Sequence, residues 1–528
     1  MPELRREDLK IRHGSLPIVI YAPHGGRRNR PVRRSDGVND LHTADIALEL
    51  ADRLDAYALV NDSRDRNDID LNRITDLEQH APSVLALLRE LVSAAAAGSS
   101  VPLVVIVHGW NVSMCGVDVG VGIVERSQGL LGRYPTLSRA TLEGLVARLG
   151  TRLAAEGIET SLGRRYPATA RNNATQIFSG RHRDARSSDV AELAAMAAEG
   201  AVDAVQLELA IPLRWPGRWR DAFLAVATEL LAEEGKARAV TKRGDAPVCR
   251  ARSEWTLPPI TKPGRTERLA KGHSLQAVLP DGTGLLVGAE PTGADSMAAR
   301  FCLVRPEGKL LLFVGEGAWQ GNARVFEVGG FRLALEEPGD TEPACRLAIR
   351  YDGPCVAYPT HDAFCDLEQG LAGSALLPLE ARLVHESDEE GFGRLRGYIH
   401  TGEERLEVDA GSYCERSSRR ASFSGLRSRL HLTDGPGAPS SVIADDDGDE
   451  DGPIVWRTTA DGLPSHAEVR LKEGEPVRAE VVSRVPVYRP IPGASAAVRV
   501  TFGVARMTLG SSDTLALFER IELVEVES

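Results

Sequence analysis

Two halves of different character divide this chain of 528 residues. From Leu16 to about Gly235, short runs rich in Val, Ile and Leu alternate with segments whose apolar residues recur at helical spacing. That alternation predicts an α/β domain with a mostly parallel sheet covered by helices on both faces. Beyond about residue 266 helical periodicity disappears, and short alternating runs separated by Gly, Pro and Asp clusters take over, the pattern of an all-β antiparallel barrel region. The length agrees with a multidomain chain, because single hydrophobic cores stop growing beyond roughly 250–300 residues.

In the first half the predicted strands are Leu16–Ala22, Tyr57–Asn61, Pro102–His108 and Asp203–Ala210. Helical spacing predicts helices over Ala44–Asp55, Pro82–Ala97, Leu137–Glu156, Ser188–Glu199 and Arg220–Glu234; Ile46, Leu50 and Leu54 mark one apolar face. Pro82 suits a first helical turn, and Gly157 and Gly235 read as C-terminal stops. The domain limits follow: 1–240 for the α/β domain, 241–265 for a linker carrying Pro258-Pro259 and two basic clusters, and 266–528 for the β-rich region, divided near 390. Runs such as Lys309–Val314, Arg332–Leu335, Arg394–Ile399, Ala467–Leu471, Glu480–Val485 and Ala497–Phe502 are its strands, and its size suits two barrels in tandem. The acidic run Asp445–Asp451 opens like a calcium loop, but its twelfth position is Thr458 where a bidentate Glu is needed, so it reads as a solvated loop.

A net charge of −12 opposes binding to a polyanion, so nucleic acid is not an expected partner. No apolar run approaches the roughly 20 residues that span a bilayer, and Met1–Lys10 lacks the apolar core of a secretory signal. The seven cysteines form no CxxC pair and make neither a disulfide framework nor a zinc ribbon. A cytoplasmic enzyme is the expectation.

Four short stretches end in groups that suit one metal ion: Tyr21-Ala22-Pro23-His24-Gly25-Gly26, Asp70-Leu71-Asn72-Arg73, Val107-His108-Gly109 and Val205-Gln206-Leu207-Glu208-Leu209. Each follows or interrupts a strand-like run, and open α/β sheets collect ligands beyond the carboxyl ends of their strands. A metal hydrolase needs about three protein ligands, an open position for water, a base and positive groups for substrate. His24 and His108 occupy equivalent places, each at a strand end before a glycine. Glu208 lies in an apolar run where an unpaired carboxylate is costly to bury, which raises its pKa toward that of a useful base. Asn72 and Arg73 suit a carboxylate clamp, since guanidinium meets carboxylate in a two-bonded fork. The plain alternatives are turn histidines, an Arg73 paired with Asp68 or Asp70, and a Glu208 facing solvent or paired with Arg214.

The order of these motifs resembles the N-formylglutamate amidohydrolases and the poly-γ-glutamate hydrolases of the zinc carboxypeptidase-like group, over roughly residues 16 to 235. The resemblance implies a zinc carboxypeptidase-like fold, one Zn2+ held by His24 and His108, Glu208 as general base, and Asn72 with Arg73 on a substrate carboxylate. Carboxypeptidases have an acid three residues after the first His, where this chain has Arg27. The third ligand is therefore expected at Asp40, in a register Asp40-x-x-Thr43-x-x-Ile46-Ala47 similar to that of the γ-glutamyl hydrolases, with His42 as substitute or supporting partner. The alternative is that Asp40 or Asn39 caps the following helix. Arg181, in Phe178-Ser179-Gly180-Arg181, matches a loop where related amidohydrolases place a basic substrate contact. The Gly116–Gly122 stretch reads as a site loop or hairpin turn, and Arg27, Arg28, Arg30, Arg33 and Arg34 as a basic surface loop.

Tyr351-Asp352-Gly353-Pro354, Gly393–Ile399 and Gly411–Ser417 give the second half a resemblance to the tandem lipocalin-like fold of carotenoid hydratases. Their Gly-x-Arg-Asp-His-Ser pattern lacks its His and Asp here, so the resemblance implies a ligand-holding or scaffolding barrel. The expected function is zinc-dependent hydrolysis of an amide beside a carboxylate, such as an N-acyl amino acid or glutamyl amide. The rival is a non-catalytic protein that carries a hydrophobic ligand in its C-terminal barrel.

Overall fold

The computed structural model describes residues 8–33, 36–97, 100–126, 129–131, 134–240, 272–291, 296–318, 324–336, 345–360, 366–387, 391–402, 404–417, 427–433, 454–458, 464–469, 477–490, 496–509 and 512–525. The linker 241–265, the acidic run Asp445–Asp451 and Arg34 lie outside them. The chain divides into two units, one drawn mainly from its first half and one mainly from its second.

The first unit contains β1 (Leu9–Arg12), β2 (Leu16–Ala22), β3 (Ala56–Asn61), β4 (Leu103–Trp110), β5 (Gly116–Gly120), β6 (Val124–Arg126), β7 (Gly129–Leu131), β8 (Glu159–Leu162) and β9 (Asp203–Ala210). β6 and β7 pair with each other, and the others form one sheet in the order β1-β3-β2-β4-β9-β5-β8. The sheet is mixed. Its centre β3-β2-β4-β9 is parallel, whereas β1 on β3 and β5 on β9 are antiparallel. Period-two alternation sends Ile18 and Ile20 to one face and Val19 and Tyr21 to the other. Ile46 and Leu50 of α1 (Thr43–Leu54), with Phe223 and Leu224 of the helix Arg218–Val240, cover the first face. α2 (Ile74–His80), α3 (Pro82–Ala95) and the helix Ser188–Ala198 cover the second, through Leu77, Leu88, Leu91 and Leu193. Both sides of the sheet are thus buried, which is why its strands read as unbroken apolar runs.

Two expectations need correction. Gly116–Gly120 is strand β5, not a loop or turn: Gly120 lies so close to the loop over it that a Cβ would stand 2.5 Å from the Tyr166 carbonyl. Gly235 does not stop its helix, which continues to Val240. A Cβ on Gly235 would come within 3.1 Å of Leu16 and Ile18, so the glycine serves close helix–sheet packing. Gly157, with φ at +74°, does end its helix as expected.

In the second half, β10 (Gly272–Val278), β11 (Gly284–Pro291), β12 (Ser296–Val304), β13 (Leu310–Ala318), β14 (Val325–Val328), β15 (Phe331–Glu336), β16 (Cys345–Tyr358), β17 (Ala375–Ser387), β18 (Phe392–Thr401) and β19 (Glu404–Ser417) form one large antiparallel sheet. β17 and β18, on either side of residue 390, pair with each other. One face gathers Phe301, Phe313, Phe331 and Tyr351 into a buried aromatic cluster. β20 (Arg427–Thr433), β21 (Ile454–Thr458), β22 (Pro464–Val469), β23 (Val477–Pro490), β24 (Ala496–Leu509) and β25 (Ser512–Glu525) form a second antiparallel sheet in the order β20-β25-β24-β23-β22-β21. No helix among the described residues is long and apolar enough to cross a membrane.

Candidate metal centre

His24 follows β2 and is almost fully buried. Its carbonyl accepts a hydrogen bond from the Asp40 amide at 2.9 Å, which ties the two residues together across the loop between β2 and α1. Gly25 is required beside it, because a Cβ there would meet Ala44 at 2.6 Å and the Asn61 carbonyl at 2.7 Å. The ring's Nε2 lies 2.7 Å from Asp70 Oδ1. A carboxylate can only accept, so Nε2 carries the proton in this pair.

Asp40 sits just before α1 and is 3% exposed. It does not cap the helix: the N-terminal position is His42, in the left-handed region without a side-chain cap, and Thr43 Oγ1 donates to the Asp40 carbonyl. Asn39 is also occupied elsewhere, donating to Asp65 and accepting from the Arg66 amide. The Asp40 carboxylate turns toward both imidazoles, with Oδ2 3.3 Å from His24 Nδ1 and 3.0 Å from His108 Nδ1. Arg66 approaches Oδ1 at 3.4 Å.

His108 belongs to β4 and stands in register with Glu208 of the adjacent parallel strand β9. The two imidazoles meet edge to face, their centroids 4.8 Å apart. One ligand atom from each of His24, Asp40 and His108 falls within 4.8 Å of the others. Within this cluster, His24 Nδ1 and His108 Nε2 are buried and have no hydrogen-bond partner among the described residues. Burial pushes the Asp40 carboxyl up, but the two imidazoles outweigh it and hold the group well below the usual carboxylate range. Asp70 follows the same logic and falls to about 2, with burial opposed by His24 and Arg66. Burial and Arg66 work against a charged His24, and Asp40 and Asp70 overcome them and raise it; burial wins at His108, which is lowered.

Glu208 is 6% exposed and does not contact solvent freely. Arg214 is not its hydrogen-bond partner; that guanidinium donates to Leu41, Trp110 and Asn111. Gln206 donates to Glu208 Oε1 at 2.7 Å and itself accepts from Thr175 and Asn173. Burial raises the Glu208 pKa well above 4.5, and the charges of Asp40 and Asp118 raise it further.

Asn72 and Arg73 share a loop with Asp70. The Asn72 backbone amide donates to Asp70 at 2.9 Å, and the Asn72 side-chain Oδ1 is buried without a partner among the described residues. Tyr21 holds this loop from the sheet through a bond to the Leu71 carbonyl. Arg73 is largely exposed, with Nε 3.2 Å from Asp70 Oδ2. Arg181 lies over the Tyr134 ring at 4.6 Å and donates to the Thr169 carbonyl. His42 packs against Trp215 and faces Asp45, apart from the three-residue cluster. Sequence reasoning missed Arg66, Gln206 and Asp118. Gln206 carried a signal, since it precedes Glu208 by two on one strand and must share its face; Arg66 carried none.

No family model matches the chain, and no curated protein matches it. Among solved structures, the chain is similar to N-formylglutamate amidohydrolase from Ralstonia eutropha JMP134, at 14% identity over 44% of this chain and 98% of that one, with a TM-score of 0.30. It is also similar to kievitone hydratase from Nectria haematococca, at 12% identity over 48% of this chain and 88% of that one, with a TM-score of 0.26.

Proposed function

We propose that the N-terminal domain is a zinc-dependent amidohydrolase that cleaves an amide bond beside a carboxylate. One observation carries this reading: from separate elements, His24 and His108 each turn Nδ1 toward the same oxygen of a buried, ionised Asp40, and Glu208 stands in register beside His108. The donor set fits the ion. Two imidazoles and one carboxylate are a familiar zinc triad, and Asp70 fixes the ring of His24 as outer carboxylates do for metal-bound histidines. His24, Asp40 and His108 would hold one ion, which when bound lowers the pKa of water and polarises a carbonyl. Glu208, whose burial gives it a high proton affinity, takes a proton from the attacking water and delivers it to the leaving nitrogen. Gln206 keeps that carboxyl aimed. Asn72 and Arg73 hold the substrate carboxylate, and Arg181 supplies a further positive contact.

Metal analysis of the purified protein tests the centre, with about one zinc per chain expected and less than a tenth of that in His24→Ala or His108→Ala. Glu208→Gln should keep the metal and lose a factor of about 10² or more in kcat on N-acyl amino acids. Full activity in that variant refutes the proton role. We also propose that the large C-terminal sheet closes as a lipocalin-like barrel, supported by the second pairing of β13, where Leu310–Leu312 meet Val356–Tyr358 of β16. A cytoplasmic setting suits Cys115, Cys302, Cys345 and Cys355, which are buried free thiols.

A further inference from the structure

Arg214 ends the short helix Ile211–Arg214, which begins where β9 stops, and its side chain is wholly buried. Burying a guanidinium is costly unless its donors are used well. Here they tie together two segments that carry candidate ligands. Nη1 donates to the Leu41 carbonyl at 3.0 Å, one residue beyond Asp40. Nη2 donates to the Trp110 carbonyl at 3.2 Å and to Asn111 Oδ1 at 2.7 Å, two and three residues beyond His108. The space for this fork is made by Gly109. A Cβ at that position would stand 2.5 Å from Arg214 Nη1, 2.8 Å from its Cζ and 3.0 Å from the Asp40 Cβ. One glycine therefore admits both the guanidinium and the Asp40 side chain to the flank of β4.

We infer that Arg214 is a positioning residue that sets the distance between Asp40 and His108, and through it the affinity of the metal centre. The inference rests on the zinc reading given above. The planar fork matters because it reaches two carbonyls and an amide oxygen at once, whereas an ammonium is a single point on a flexible stem. Lysine at this position keeps the charge but cannot hold both segments. Residues that orient metal ligands from behind typically change metal affinity 10–100-fold when replaced.

The test uses the full chain and measures zinc affinity by chelator competition, the absorption spectrum of the cobalt(II)-substituted protein, and Tm. Arg214→Lys and Arg214→Met are expected to bind zinc 10–100-fold more weakly than the wild type and to alter the cobalt spectrum. Gly109→Ala, which pushes the guanidinium away without removing it, is expected to do the same. A merely structural Arg214 would lower Tm while leaving the zinc affinity of the folded protein unchanged; that result overturns the inference and leaves the hydrolase reading in place. If the Arg214 variants do not fold, Asn111→Ala, which removes one acceptor of the fork without touching Asp40, decides: unchanged affinity refutes the positioning role, and a tenfold loss supports it. A wild type that binds no zinc removes the hydrolase reading itself, and this inference with it.

Discussion

Glu208 shows how burying a single carboxyl makes stability depend on pH. Its carboxyl is buried beside the charges of Asp40 and Asp118, and its pKa in the folded, metal-free protein lies well above the 4.5 of an exposed glutamate. Below about pH 4.5 both the folded and the unfolded chain hold the proton, and the group costs nothing. As pH rises past that value the unfolded chain ionises first, so stability falls until the folded form also releases its proton. Glu208→Gln removes this penalty. The variant should therefore match the wild type in Tm near pH 4 and exceed it at pH 7, by on the order of 2–4 °C for each kcal/mol relieved. A pH-independent difference would show that Glu208 is not held protonated by its surroundings. The residues of this scale that the sequence made legible were those with chemistry at strand ends, His24 and His108, together with a carboxylate inside an apolar run. Arg66 was hidden because its role arises from a loop that brings it between Asp40 and Asp70, and nothing in its neighbours along the chain encodes that approach.

At the scale of elements, the buried central strands were legible because both faces are covered and their sequences are apolar throughout. β5 was not, since glycines at 116 and 120 and an acid at 118 suggest a turn. The structure gives the physical reason for two of them. Gly120 makes room for a loop, and Asp118 is fully buried because it organises that loop: it accepts from Ser161 Oγ and from the backbone amides of Arg164, Arg165 and Tyr166, at 2.6–3.0 Å. The same residue pairs in register with Glu208. Asp118→Ala leaves three amides to find other partners, and the expected loss is roughly 2–5 kcal/mol, read from denaturant unfolding of the N-terminal unit. Asp118→Asn should recover part of it, because the amide oxygen still accepts while its NH2 opposes donors. A loss below about 1 kcal/mol in the alanine variant would mean the loop is held by other contacts.

For the molecule as a whole, the division into two units gives the proposed metal binding a measurable boundary. Each unit has its own sheets, and the three candidate ligands all come from the first. A ligand that binds only the folded form stabilises what it binds by RT ln(1 + [L]/Kd), about 2.7 kcal/mol at a hundred times Kd, and this slows by up to roughly a hundredfold the exchange of amides that open only when that unit unfolds. Zinc should therefore slow exchange in peptides covering β2, the Asp40 loop, β4 and β9, and should leave those of β10 to β19 at the rates found with chelator. Hydrogen-exchange mass spectrometry of the full chain, with zinc and with chelator, measures both regions in one experiment. Protection confined to the C-terminal sheets would place the ion elsewhere, since His24, Asp40 and His108 all belong to the first unit.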